Sequence, residues 1–155
     1  MKYKYKYNPD KIRKLFSELF NALDKLRELA NLSKDEFLRD VHKVASAKYH
    51  LLIAIEASID MCNHVIAQNK LRTPEDYADT FRVLQEVGAF PKDFLPKLIE
   101  MARFRNRLVH IYWEVDNEVI YQILKEDISD LEKFKCRFHK ISSTNFSGSN
   151  SIKSS

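Results

Sequence analysis

Ile12, Phe16, Leu19, Leu23, Leu26 and Ala30 recur at alternating steps of four and three, the stripe that one face of an α-helix presents. Asn8-Pro9 marks its start, a capping side chain followed by proline at the first helical position. Ser33-Lys34-Asp35-Glu36 reads as a capping box for a second helix. Its stripe runs through Leu38, Val41 and Ala45 to Leu52, Ile55, Ile59, Cys62 and Ile66, broken only at Lys48. No breaker stands between Ser33 and about Gln68, so the spacing predicts one element of roughly 50 Å. Twelve of the 17 residues from Leu51 to Ala67 are apolar. A helix so apolar is buried on more than one side, which predicts the central helix of the fold and a contact between two copies.

Thr73-Pro74-Glu75 predicts the start of a third helix with Tyr77, Phe81 and Leu84 inward, and Gly88 its end. A fourth begins near Asp93 with Leu95, Leu98 and Ala102 inward. A last one after Asp116 carries Ile120, Leu124, Ile128, Leu131, Phe134 and Phe138. Short connections favour antiparallel neighbours, so the expected fold is all-α, an up-and-down bundle of four main helices and a shorter one. Residues 1–8 form a Lys/Tyr arm, 9–141 the bundle, and 142–155 a serine-rich tail expected to be disordered.

Composition agrees. The 155 residues hold two glycines and four prolines, where average usage would supply roughly 11 and 8. That scarcity excludes hairpin-rich β folds and glycine-cradled phosphate sites. The net charge of +4 is local: residues 1–14 carry six basic side chains against Asp10, leaving the rest of the chain close to neutral. A globally basic nucleic-acid surface is therefore not indicated. Cys62 and Cys136 have no partners at zinc or disulfide spacing. Glu56 and Asp60 interrupt the most apolar stretch, so it is not expected to span a membrane, and no signal peptide opens the sequence. The cytoplasm is the expected location.

One segment breaks the helical pattern. The stripe Leu95, Leu98, Ala102 continues to Arg105 and Val109, placing a guanidinium on an apolar face. Such a charge is costly unless paired or facing a cleft. Asn106 and His110 lie four apart beside it, and Tyr112 would stack above Arg105 if the helix continued. The step of five between Arg105 and His110 separates them on an ideal helix, so convergence requires a helix end, a bend or a second copy. By spacing alone, a solvated face or a capping interaction is the commoner reading of such a pair.

Arg105-Asn106-Arg107-Leu108-Val109-His110-Ile111-Tyr112 resembles the motif of the HepT branch of the HEPN proteins: arginine, four residues, histidine, one residue, tyrosine. Ala54–Ile66 and Asp76–Phe81 resemble that family's central helix and the helix after it, and the likeness runs from about Lys34 to Phe134. The resemblance implies a helical homodimer acting as the toxin of a HEPN/MNT toxin–antitoxin system, a metal-independent endoribonuclease needing no cofactor. It implies Arg105 and His110 as the catalytic pair, with Asn106 orienting the histidine or binding phosphate. A histidine titrating near neutrality suits proton transfer at the 2′-hydroxyl and the leaving 5′-oxygen, and arginine suits the phosphate charge. The implied partners are RNA and an MntA-like nucleotidyltransferase antitoxin that adds AMP to the motif tyrosine, here Tyr112. Without the motif, Tyr112 reads as an aromatic packed at the bundle end. The competing reading is a non-catalytic helical subunit of a nucleotidyltransferase complex that supports its substrate.

Two features stand apart. Asp60 and His64 have the four-residue spacing of metal ligands but no third member, so a hydrogen-bonded interior pair is the expected reading. The Lys-Tyr arm interleaves cations with aromatics as single-strand RNA binders do, although a mobile solubilising tail is the commoner use of such a segment.

Overall fold

The computed structural model describes the backbone of residues 5–153 and the side chains of residues 5–141. The described residues form seven α-helices, one 3-10 turn and no strand: α1 (Pro9–Ala30), α2 (Lys34–Arg39), α3 (Val41–Gln68), α4 (Tyr77–Glu86), α5 (Leu95–His110), the turn Tyr112–Glu114, α6 (Asn117–Glu126) and α7 (Ile128–Lys153). The expected all-helical architecture is present, with finer divisions. The tail expectation falls on residues 142–155, whose side chains lie outside the described set; the backbone of α7 itself continues to Lys153.

The long second element is two helices, not one. Asp40 leaves helical geometry at φ −109°, ψ 104°, and its carboxylate accepts the amides of His42 and Lys43. An aspartate offers the backbone this local alternative, so it caps a new helix where a propensity reading sees no breaker. The last element divides similarly, α6 ending on Asp127 before α7 begins. The third helix starts later than Thr73-Pro74-Glu75 because Asp76 is the cap, its carboxylate accepting the Asp79 amide at 2.7 Å. Gly88, at φ +83°, ends the α4 segment in the left-handed region that favours glycine.

α3 lies at the centre and touches α1, α2, α4, α5, α6 and α7. Leu51, Ala54, Ile55, Ile59, Cys62 and Ile66 are all buried inside one protomer. Much of its apolar girth is therefore covered by its own chain, while Val41 and Tyr49 of the same helix stay exposed. It is long and apolar enough to cross a membrane by composition, yet it serves as the core helix. Burial pushes the Cys62 thiol well above its ordinary range, and both Cys62 and Cys136 are free. The charged break in the stripe has a partner: buried Lys48 sits 4.4 Å over the Tyr112 ring and donates to the Tyr112 carbonyl at 3.5 Å.

Aromatic packing closes one side. Phe134 meets Phe81, Phe90 and Phe138 at centroid separations of 6.2, 5.6 and 5.8 Å, all four rings buried. Burying each such ring stabilises by about 2–3 kcal/mol relative to exposure.

Residues 5–8 of the arm are docked rather than free. The Tyr5 hydroxyl donates to the Val87 carbonyl, Lys6 exchanges two hydrogen bonds with the Asn69 side chain, and the Asn8 amide donates to His64 Nε2 at 2.8 Å. The mobile-tail reading therefore fails for this part, while Lys2 and Lys4 lie outside the described residues.

The segment between α3 and α4 is held by Arg72, which makes two parallel bonds to Asp79 at 2.7 and 2.9 Å and two to Glu86 at 3.0 and 2.8 Å. Asp79 also accepts the Glu75 amide at 2.9 Å. The Arg72 guanidinium and that amide hold the Asp79 carboxyl down to about 2.

Two predictions follow from these links. Because Asp79 is depressed, its contribution to stability is present above the ordinary carboxylate range and lost as pH falls through about 2. Arg72→Ala should return its carboxyl toward the ordinary range in a carbon-13 titration; an unmoved value would contradict the assigned cause. His64 Nε2 accepts a hydrogen bond from the Asn8 amide, and burial lowers its pKa. Arm docking is then complete above the free imidazole value near 6.5 and weakens as pH drops below it. The Asn8 amide resonance should move toward its His64→Ala position on acidification, and movement on alkalinisation instead would refute the linkage.

Candidate functional site

α5 delivers the motif. Leu98, Ala102 and Leu108 are buried, whereas Val109, expected on the inner stripe, is exposed. Arg105 and Asn106 stand half-buried on the flank, and His110 is the last, exposed residue of the helix. The helix stops there because Ile111 departs to φ −134°, ψ 43°, its amide still bonded to the Arg107 carbonyl at 2.9 Å. The helix end anticipated from the step of five is therefore real.

Arg105, Asn106 and His110 line one cavity of about 530 Å³. The opposite wall comes from Pro74, Glu75 and Asp76 and from Tyr77 and Thr80 on α4, with Asn63 contributed by α3. Asn63 accepts the Thr80 hydroxyl at 3.1 Å, fixing α4 to α3 beside the floor. The loop held by Arg72 is thus one side of the site.

The electrostatics centre on Arg105, whose side chain is 14% exposed. Its Nε and Nη2 both donate to Glu56 Oε1, at 3.2 and 3.0 Å, and its Nη1 donates to Asn106 Oδ1 at 3.2 Å. The guanidinium also lies over the Tyr77 ring, 4.5 Å from the centroid. A guanidinium has five N–H donors; three are engaged by these partners among the described residues, and two remain. This pairing resolves the cost of placing a charge on the stripe. Glu56 and Tyr77 were not singled out from the sequence. Glu56 had a usable signal, a carboxylate interrupting the most apolar run of the chain. Tyr77 gave a misleading one: helical spacing put it inward, but it is 39% exposed and faces the arginine.

Tyr112 lies outside this cavity. Because α5 ends at His110, Tyr112 falls in the 3-10 turn, 43% exposed, its ring under Lys48 instead of above Arg105. Val109 and Trp113 are exposed nearby, Trp113 at 76%.

Asp60 and His64 do not form the expected hydrogen-bonded interior pair: Asp60 is exposed, and no bond joins the two among the described residues. His64 Nε2 is occupied by the Asn8 amide, and no group of three or more potential metal-binding side chains gathers among the described residues. Partial burial, reinforced by the negative charge of Glu56, raises the Asp60 carboxyl above its ordinary value.

Over 99 residues the chain is 27% identical to the mRNA nuclease HepT of Shewanella oneidensis, covering 64% of this chain and 74% of that protein. It is 25% identical over 105 residues to the tRNA nuclease HepT of Aphanizomenon flos-aquae, covering 66% and 69%. Among solved structures, the tri-AMPylated Shewanella oneidensis HEPN toxin in complex with its MNT antitoxin superposes with a TM-score of 0.77. That match is at 22% identity and covers 86% of this chain and 99% of the other. The family described as ribonuclease HepT-like matches residues 19–138, most of the helical body and the whole cavity wall carried by α5, and the chain belongs to that family.

Proposed function

We propose that this chain is a cytoplasmic endoribonuclease toxin that cleaves RNA without a metal, using Arg105 and His110, and that a nucleotidyltransferase antitoxin silences it. The observation that carries the reading is the shared cavity: two N–H donors of a positioned guanidinium, the Asn106 amide and an exposed imidazole border one space. Membership of the ribonuclease HepT-like family supports it.

The reaction needs no group beyond these. His110 takes the proton from the ribose 2′-hydroxyl, and the 2′-oxygen attacks the adjacent phosphorus. The bond from phosphorus to the 5′-oxygen breaks, a protonated imidazole supplies the proton to that oxygen, and a 2′,3′-cyclic phosphate remains. Arg105 meets the charge developing on the phosphoryl oxygens. Glu56 keeps the guanidinium from turning away, and Asn106 orients the group that Arg105 does not hold.

Two copies are proposed to act together, with the exposed Val109 and Trp113 beside the motif supplying apolar surface for the contact. Tyr112 is the proposed modification site. Its oxygen attacks the α-phosphorus of ATP, pyrophosphate leaves, and the resulting phosphodiester brings negative charge near the site that must bind RNA phosphate. Its exposure outside the cavity suits access by a second enzyme.

Incubated with RNA in EDTA, the protein should leave cyclic-phosphate ends. His110→Ala should slow cleavage by at least about 100-fold while thermal melting is unchanged. Equal cleavage by both proteins, or none on several RNAs, would refute the assignment. Light scattering should report about twice the 18.3 kDa chain mass. With the antitoxin and ATP, mass spectrometry should find additions of roughly 329 Da each on Tyr112, and none on Tyr112→Phe.

A further inference from the structure

The face of α5 opposite the motif borders a second cavity, of about 300 Å³, enclosed with α3, α6 and α7. Its floor is apolar: Leu51 and Ile55 from α3, Met101 and Phe104 from α5, Ile123 and Leu131 from the helices beyond. Its charged border holds the acids Glu100, Glu126, Asp127 and Asp130 against the cations Lys97 and Arg107.

Asp130 is unusual there. It is 8% exposed, it lines the cavity, and its carboxylate has no ion pair or side-chain hydrogen bond among the described residues. An unanswered buried carboxylate costs several kcal/mol in an apolar surround, and such groups call for an explanation. Asp130 lies in the first turn of α7, its amide donating to the Asp127 carbonyl at 3.0 Å. Burial and then the neighbouring Asp130 raise the Asp127 carboxyl, and the charge of Lys97 opposes them by less. Lys97 borders the same space, but its ammonium is not within ion-pair distance of either acid. On its other side Asp130 borders a cavity shared with Lys133 and Arg137, and Arg137 is engaged with the Ala89 carbonyl at 2.8 Å.

We infer that this cavity is a binding site for an amphiphilic organic amine, its ammonium between Asp127 and Asp130 and its apolar body over Leu51, Met101, Phe104 and Ile123. The volume stands at the lower end of small-molecule sites, and an apolar lining with a few converging polar groups is their usual make-up. A bare polyamine leaves the floor unfilled, and a neutral aromatic leaves the carboxylates unanswered, so the site requires both features in one molecule. This inference is independent of the RNA-cleavage reading, because none of its residues belongs to the motif cavity.

Three probes separate the contributions: tryptamine, its neutral analogue tryptophol, and spermidine. Tryptamine should perturb the NMR signals of Met101, Phe104 and Ile123 and bind at least about tenfold more tightly than either of the others. Asp130→Asn should weaken tryptamine to the level of tryptophol while the melting temperature holds or rises, since the substitution removes a buried charge. Asp127→Asn, which keeps the backbone bonds between α6 and α7, should weaken it in the same direction. Equal binding of tryptamine and tryptophol would overturn the proposal. So would unaltered binding in both variants, or no perturbation by any probe. A drop in melting temperature on Lys97→Ala without tryptamine binding would also overturn it, by showing that the protein's own lysine answers Asp130.

Discussion

The arrangement depends on covering α3. A 28-residue helix with so little polar face cannot meet water on any side for long, so the rest of the chain is disposed around it. Six other helices touch it, and four of its polar residues reach neighbouring segments. Lys48 reaches the 3-10 turn after α5, Glu56 reaches Arg105, Asn63 reaches Thr80, and His64 receives the arm. The same helix therefore supplies the core and the anchor points of the site.

Glu56 illustrates how that constraint becomes chemistry. A carboxylate on the most apolar helix and a guanidinium on the apolar stripe of α5 are each costly alone; together, with Tyr77 over the cation, they are satisfied. Only one carboxylate oxygen is used, and it takes two donors from the same edge of the guanidinium. The other edge faces Asn106 and the cavity, so the pair fixes the direction in which the remaining donors point. A lysine at position 105 would be held by Glu56 as a point charge without that directionality.

How much was legible in the sequence depended on whether one residue or two carried the signal. Helix faces were readable because period and burial agree along a single element: Leu19, Leu23 and Leu26 are wholly buried, as their spacing requires. The caps at Asn8 and Ser33 were readable for the same reason, since each side chain bonds within three residues of itself. Asp40 and Asp76 act equally locally, yet helix formers on both sides of Asp40 and the proline before Asp76 pointed to different boundaries. Arg105, Asn106 and His110 could be picked out because a charge on an apolar stripe is anomalous by itself. Glu56, 49 residues away, and Tyr77 could not, because their roles exist only once α3, α4 and α5 are packed. Tyr112 is the instructive reversal: extrapolating the helix put it over Arg105, and one residue of broken geometry at Ile111 sent it to Lys48.

That break separates two demands that a continuous helix would set against each other. A tyrosine stacked above Arg105 would share the cavity with the guanidinium and be shielded by it. Displaced into the 3-10 turn, Tyr112 presents its ring to a lysine and stays exposed, while His110 keeps the end of the helix for itself. The chain around Ile111 therefore lets one short motif offer an accessible phenol and a bordered imidazole two residues apart. α5 does the same across its width: its flank carries Arg105 and Asn106 to one cavity, while Met101 and Phe104 face an apolar one. With α3 fixed by its burial, α5 is the element whose two sides remain available for chemistry, and its sequence is polar or apolar according to which side each residue serves.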